Sequence, residues 1–165
     1  REILRIASDE SGISEELFRQ ADEKQRIPLF RIAREVYTGE VIPPDSDDFI
    51  SNENLFRYQA KIIRELAATR NCVIVGRCAT NILKDKSLKL FIHAPFEERI
   101  QNVIRRTGRE EASARKLVKK MDKERKAYYE YFTDSKWLDM TQYDLCIDSS
   151  RFSMEQIIEI VKRCL

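Results

Sequence analysis

The reactive groups this chain offers are cations. The run "CVIVGRCA" at residues 72–79 is apolar until it stops at Gly76 and Arg77. An arginine just past the carboxyl end of a parallel strand stands where ligands of open α/β sheets bind, and a glycine before it leaves room there. Its planar fork donates two parallel hydrogen bonds and keeps its charge, which suits phosphate. The same side chain could equally cap neighbouring carbonyls or pair with a carboxylate, and the run alone does not choose. A second concentration lies at residues 105–126, with ten Lys/Arg against four Asp/Glu, whereas residues 1–50 hold seven against twelve. The net charge of +2 therefore hides a local positive potential, whose expected partner is a local anion.

Other chemistries find little support. His93 is the single histidine and has no motif around it, so hydrolysis by a triad is not expected. Cys72, Cys78, Cys146 and Cys164 form no C-x-x-C pair, which argues for a reducing compartment and against structural zinc. Two of these cysteines fall in apparent core strands, where a free thiol behaves as a small hydrophobe. The glycines at 12, 39, 76 and 108 build neither G-x-x-x-x-G-K-[ST] nor G-x-G-x-x-G, so no phosphate loop lies in these 165 residues. No protein metal site is expected. The apolar runs are too short to span a bilayer, and 42% hydrophobic with 35% charged residues fits one cytoplasmic domain.

These cations need elements to position them. Ile3, Leu4 and Ala7 share one face of a short first helix, and Ser14 can cap a second that opens with Glu15 and Glu16. Residues 24–51 lose periodicity and hold three of the four prolines, which suggests a mobile flap or insertion. From Asn54 to about Thr69 the spacing of Leu55, Tyr58, Ile62 and Leu66 predicts a long helix feeding "CVIVG", an apolar β-branched run expected as a strand covered on both faces. A short helix at 79–84 and a strand "LKLFI" at 88–92 follow. Pro95 then opens a helix with Phe96, Ile100, Val103 and Ile104 inward, ended by Gly108. The segment 110–132 is predicted as a basic helix with Leu117, Met121, Tyr128 and Phe132 as its apolar line. "YDLCID" at 143–148 is a further strand, and Ser153 with Gln156 predicts a capping box on the closing helix. The order of elements is α/β with a parallel sheet.

Together, "CVIVGRCATNIL", "FIHAPFEERI", "KKMDKERKAYYEYFTDSKW" and "YDLCIDSSRFSMEQIIEIV" resemble the cytidylate kinase-like family of P-loop nucleoside monophosphate kinases. The resemblance covers nearly the whole chain and is best from Leu55 onward. It implies an α/β, P-loop kinase-like, three-layer αβα fold with a parallel sheet and a helical lid spanning 105–137. It also implies transfer of the γ-phosphate of ATP, with Mg2+, to CMP, dCMP or a similar nucleotide. On the matching positions, Gly76 and Arg77 would contribute to the acceptor site, with Arg57 and Gln59 of the preceding helix as further substrate contacts. Lys119, Lys120, Lys123 and Arg125 match the lid, and Lys120, Lys123 and Arg125 are the candidates for contacts to the transferring phosphoryl group. Arg105 and Arg106 lie near where such kinases place an arginine by ATP, and Asp148, Ser149 and Ser150 match a loop bordering adenine.

Two departures stand out. The lid here has lysines where better-known relatives carry arginines, which supplies point charges without a fork. The family's first strand and glycine-rich loop precede the position matching Arg1, and the strands at 72–76 and 88–92 would flank that missing strand. The expectation is that upstream residues supply both; a partner chain in a homo-oligomer or a rearranged fold are the alternatives. A catalytically silent nucleotide-binding module is the second functional reading. Nucleic acid is not the expected partner, because Glu110, Glu111, Asp122 and Glu124 interrupt the basic stripe and no RNP motif is present.

Overall fold

The computed structural model describes residues 2–23 and 40–165, so the 24–39 portion of the expected flap lies outside the described residues. The chain divides into two compact units, one of residues 1–86 with 126–137 and one of residues 87–125 with 138–165.

In the first unit, α1 (Glu2–Ser11) and α2 (Glu15–Glu23) pack on α3 (Asn52–Thr69). Ser11 ends α1 by donating to the Ala7 carbonyl at 2.6 Å and accepting from Ile13 N at 3.1 Å. Ser14 caps α2 through Leu17 N, as its sequence predicts, and Phe18 is fully buried. The hub is α3, which starts at Ser51, whose hydroxyl accepts from Asn54 N at 3.2 Å. Leu55, Tyr58 and Ile62 join Leu4, Ala7 and Phe18 in one cluster, while Ile63 packs with Ala79 and Leu83 of the turn around α4 (Ala79–Ile82). Phe56 and Ala60 meet Cys78, Tyr129, Tyr131 and Phe132, with the Phe56 and Phe132 rings stacked 4.1 Å apart. The aromatics near residue 130 are packing groups, in line with their spacing in sequence.

Residues 72–76 depart from the expected buried strand. Among the described residues no strand pairs with them, and Val73 and Val75 are 95% and 86% exposed. Ile74 alone turns inward, onto the Ile63 cluster. The alternation is that of a strand, one side in and the next out. What it lacks is a neighbour, because β-branched composition favours extended backbone but cannot supply the ladder. Cys72 and Cys146, expected in core strands, are exposed, and of the four thiols only Cys78 is buried.

The second unit contains β1 (Leu90–His93), α5 (Phe96–Thr107), most of α6 (Glu111–Thr133), β2 (Leu145–Asp148) and α7 (Met154–Lys162). The two strands are parallel, with Leu90 opposite Leu145 and His93 opposite Asp148. The fold is therefore a helix-rich mixed α/β arrangement with a small parallel sheet. Gly108 stops α5 in the left-handed region at φ 67°, its N–H closing on the Ile104 carbonyl. Ile100 is fully buried against Ala114 and Val118 of α6. The predicted apolar line of α6 holds in its second half, where Tyr128 and Phe132 pack in the aromatic cluster; in the first half Met121 is 37% exposed and Ala114 and Val118 make the contact with Ile100. Ser153 and Gln156 form the predicted capping box at the start of α7. Among the described residues no helix is long and apolar enough to cross a membrane.

The described end of the expected flap, residues 40–51, is tied down by a side chain the sequence had not marked. Asn54 is fully buried; its Oδ1 accepts from Ile42 N at 2.7 Å, and its Nδ2 donates to the carbonyls of Ile42 and Phe49 at 3.1 and 2.9 Å. Removing such a group leaves buried backbone partners unmet at about 1–3 kcal/mol. Asn54→Ala is expected to lower stability by about 2 kcal/mol in urea denaturation, with an unchanged m-value. An unchanged midpoint would mean that water replaces all three bonds.

Candidate functional site

Arg77 occupies an unusual backbone. Gly76, Arg77 and Cys78 follow one another in the left-handed region at φ 74°, 56° and 53°. Glycine adopts this conformation freely, whereas each non-glycine residue held there costs of order 1–3 kcal/mol. A Cβ built on Gly76 would meet nothing within 4 Å, so the glycine serves the turn more than it clears space. The turn is retained because Cys78 is buried in the aromatic cluster and its carbonyl accepts from Asn81 N and Ile82 N at 2.9 and 3.0 Å at the start of α4. Runs of strained backbone around a charged side chain are a feature of functional sites.

The turn brings Arg77 to Gln59. Its Nη1 donates to Gln59 Oε1, and Gln59 is 1% exposed on α3, so the acceptor is rigidly held. A neutral amide orients a guanidinium without itself adding a negative charge. Arg57, on another part of the helix surface, donates to the Glu40 carbonyl at 3.3 Å, at the edge of the 40–51 segment. Of the four candidates in this unit, then, Gly76, Arg77 and Gln59 form one constellation, and Arg57 has a different neighbour. Tyr58 is 7% exposed in the core, with its ring 6.4 Å from that of Phe49. Tyr131, half-turned to Glu53, donates to that carboxylate, and burial together with this bond pushes its hydroxyl up to about 12. It is a structural group.

In the second unit the candidates are distributed along two helices and one loop. Lys120 and Lys123 stand three residues apart on exposed α6, Lys120 lying 3.7 Å from Glu124. Among the described residues neither Lys123 nor Arg125 forms an ion pair. Arg105 and Arg106 are in the last turn of α5, where cations suit the helix dipole, and Arg105 donates to Asn102 Oδ1. At 1.5 Å per residue they are about 14 Å along the helix from Phe96, where the chain leaves β1.

Asp148, Ser149 and Ser150 sit at the other end, on the carboxyl edge of the sheet. Ser149 N and Oγ both donate to the His93 carbonyl, at 2.8 and 3.0 Å, which pins the loop after β2 to the end of β1. Ser150 donates to Asp148 Oδ1 through its hydroxyl at 2.6 Å and its N–H at 2.9 Å. Those two bonds, hydroxyl first, hold the Asp148 carboxyl below the usual range, with His93 and Arg151 adding smaller electrostatic support.

Sequence reasoning missed one cluster in this unit. Phe96 carries Arg115, Arg99 and Lys119 at 5.5, 5.6 and 5.9 Å from its ring centre. Arg115 forks onto Glu97 with two bonds of 2.7 Å and reaches Glu111 at 3.1 Å, which raises the guanidinium's proton affinity and lowers that of Glu97. Arg99 Nη1 bonds both carboxylate oxygens of Asp122 at 2.7 Å, and its Nε donates to the Ala94 carbonyl at 3.1 Å. The only sequence signal for these pairs was opposite charge on neighbouring helices.

The geometry can be set beside known proteins. The family model described as the cytidylate kinase-like family matches residues 1–151. Cytidylate kinases from Pyrococcus furiosus and Pyrococcus abyssi are each 34% identical over 106 residues, covering 62% of this chain and 54% and 58% of theirs. The Methanopyrus kandleri cytidylate kinase is 26% identical over 112 residues, 62% of this chain and 58% of its own. The chain thus spans little more than half the length of these curated relatives. A crystal structure of an uncharacterised protein from Eubacterium ventriosum superimposes with a TM-score of 0.59 and 33% identity, over 68% of this chain and 74% of that one. With that family model matching residues 1–151, this chain, with its Gly-Arg turn, basic helix and two parallel strands, belongs to the cytidylate kinase-like family.

Proposed function

We propose that the complete protein is an ATP-dependent nucleotide kinase that transfers the γ-phosphoryl group of ATP to CMP, dCMP or a similar small nucleotide. The observation that carries this reading is the Gly76–Arg77–Cys78 turn, in which strained backbone and a buried amide hold one guanidinium in a fixed direction. Family membership and the likeness to curated cytidylate kinases supply the reaction class.

Phosphoryl transfer asks for alignment of two phosphates, exclusion of water and positive charge on the equatorial oxygens, with little covalent work by the protein. In this reading Arg77, steadied by Gln59, anchors the acceptor phosphate, and Gly76 lets the turn form. Arg57 is an additional acceptor contact. Lys120, Lys123 and Arg125 on α6 supply charge to the transferring group. Arg105, Arg106 and the Asp148–Ser150 loop serve ATP. Mg2+ is the ion expected to accompany ATP in this reading; among the described residues no three His, Cys, Asp or Glu groups converge to hold a metal ion. A cytoplasmic setting accords with this activity.

The domain assignment extends the same reading. Val73 and Val75 present the exposed side of a strand-like segment, and a parallel strand beside it, from the longer polypeptide or from a second copy, would give the sheet of a three-layer αβα kinase. In a polypeptide that carries such a strand, the amides of residues 72–76 are expected to exchange at least tenfold more slowly than in this chain alone, since ladder bonds must open first. Equal exchange in both would remove the added strand.

Arg77→Ala is expected to lower turnover of CMP by roughly 10² to 10³-fold, the scale for losing one electrostatic stabiliser. Gln59→Glu places a carboxylate where the amide now holds Arg77, and is expected to raise KM for the nucleotide monophosphate by roughly tenfold while leaving ATP binding intact. Steady-state kinetics with each substrate varied in turn reads both. Near-normal turnover in Arg77→Ala would take Arg77 out of the site, and binding of nucleotides without any transfer would favour a silent binding module.

A further inference from the structure

Arg99 joins three parts of the second unit. It rises from the first turn of α5, donates from Nε to the Ala94 carbonyl just beyond β1, and holds both oxygens of Asp122 on α6 from Nη1. Its guanidinium also lies 5.6 Å from the Phe96 ring centre. The two charged side chains are about one-third exposed, 34% and 29%, so the pair is neither a solvent-screened surface bridge nor a fully desolvated one.

The apolar contact between these helices is one cluster, in which Ile100 faces Ala114 and Val118 with Phe96, Val103 and Ile104 packed around them. Apolar burial is non-directional, so directional polar bonds add an angular constraint on this part of α6. Arg115 with Glu97 does this near the start of α6, and Arg99 with Asp122 does it two turns later. Lys119 and Lys120 precede Asp122 by three and two residues, Lys123 follows it directly, and Arg125 is three residues on. At 3.6 residues per turn, fixing the direction of Asp122 fixes the direction of all four.

We propose that Arg99 is a positioning residue: through Asp122 it sets the roll of α6 against the carboxyl edge of β1, and so aims Lys119, Lys120, Lys123 and Arg125. The kinetic part of this proposal rests on the nucleotide-kinase reading. In this proposal Arg99 acts through Asp122, to which its Nη1 is bonded while Nε is bonded to the Ala94 carbonyl.

The test uses the full chain with Arg99→Lys, Asp122→Asn, both together, and the exchanged pair Arg99→Asp with Asp122→Arg. Hydrogen exchange over residues 111–125 is expected to quicken roughly tenfold in each single variant and no further in the double. In CMP phosphorylation, kcat is expected to fall by roughly 10 to 100-fold with KM for CMP and ATP within about twofold, as for catalytic groups misplaced by remote change. The exchanged pair should recover part of both losses. Unchanged exchange, losses that add in the double variant, or a raised KM with normal kcat would each overturn the proposal, the last by making Arg99 a binding contact. Should the wild-type chain transfer phosphate to no nucleoside monophosphate, the kinase reading falls by itself; quickened exchange over 111–125 then still upholds the clamp, and unchanged exchange still overturns it.

Discussion

A buried amide must find partners, and two of them sit on the helix that the first unit is built around. Asn54 and Gln59 are 0% and 1% exposed on α3, whose remaining faces carry Leu55, Phe56, Tyr58, Ala60, Ile62 and Ile63 into three apolar clusters. Leaving either amide unsatisfied would cost more than most single contacts provide. Each therefore dictates where another segment goes. Asn54 collects the backbone of residues 42 and 49, and Gln59 collects Arg77. The packed helix thus does more than fill a core: it projects two directional polar groups from a rigid base, and the candidate anion ligand is placed by one of them.

The same logic explains why the left-handed turn persists. A guanidinium on a regular strand end would be free to sweep, whereas Gly76, Arg77 and Cys78 spend backbone conformational energy to hold one direction. Burial of Cys78 at 5% exposure among Phe56, Ala60, Tyr129 and Phe132 offsets that strain. Strain and packing meet in three consecutive residues.

Local features of this fold were legible in the sequence and non-local ones were not. The capping box of Ser153 and Gln156, the Gly108 stop, the end of α3 and the bounds of α5 depend on residues a few positions apart, and each forms as its pattern predicts, while α3 starts two residues earlier than expected, at Asn52. The segment 72–76 has the composition and alternation of a strand, but a strand is completed by a neighbour, and none lies among the described residues. The apolar line of α6 divides: Tyr128 and Phe132 pack as their spacing predicts, whereas Met121 stays 37% exposed and Ala114 and Val118 meet Ile100, a choice made by the partner helix and not by α6's own pattern. Within the candidate site, Arg77 was found from its place after an apolar run, and Gln59 from its place on the preceding helix. Arg99 and Asp122, 23 residues apart, left no periodic trace at all.

The electrostatics of the second unit refine what the charge count alone implies. Three of the four acidic residues that interrupt the basic stripe are specific partners: Glu111 takes Arg115, Asp122 takes Arg99 from α5, and Glu124 lies by Lys120. Among the described residues Lys116, Lys119, Lys123 and Arg125 form no ion pair, although Lys119 rests its charge on the Phe96 ring. Paired cations hold the helix in place, and these others carry its positive potential outward. Because exposed charges are screened within about 8–10 Å at ordinary ionic strength, only an anion brought close to that face would feel the full surplus. The carboxylates of α6 thus leave, among the described residues, a surplus of unpaired cations on a helix whose other cations are tied to named partners.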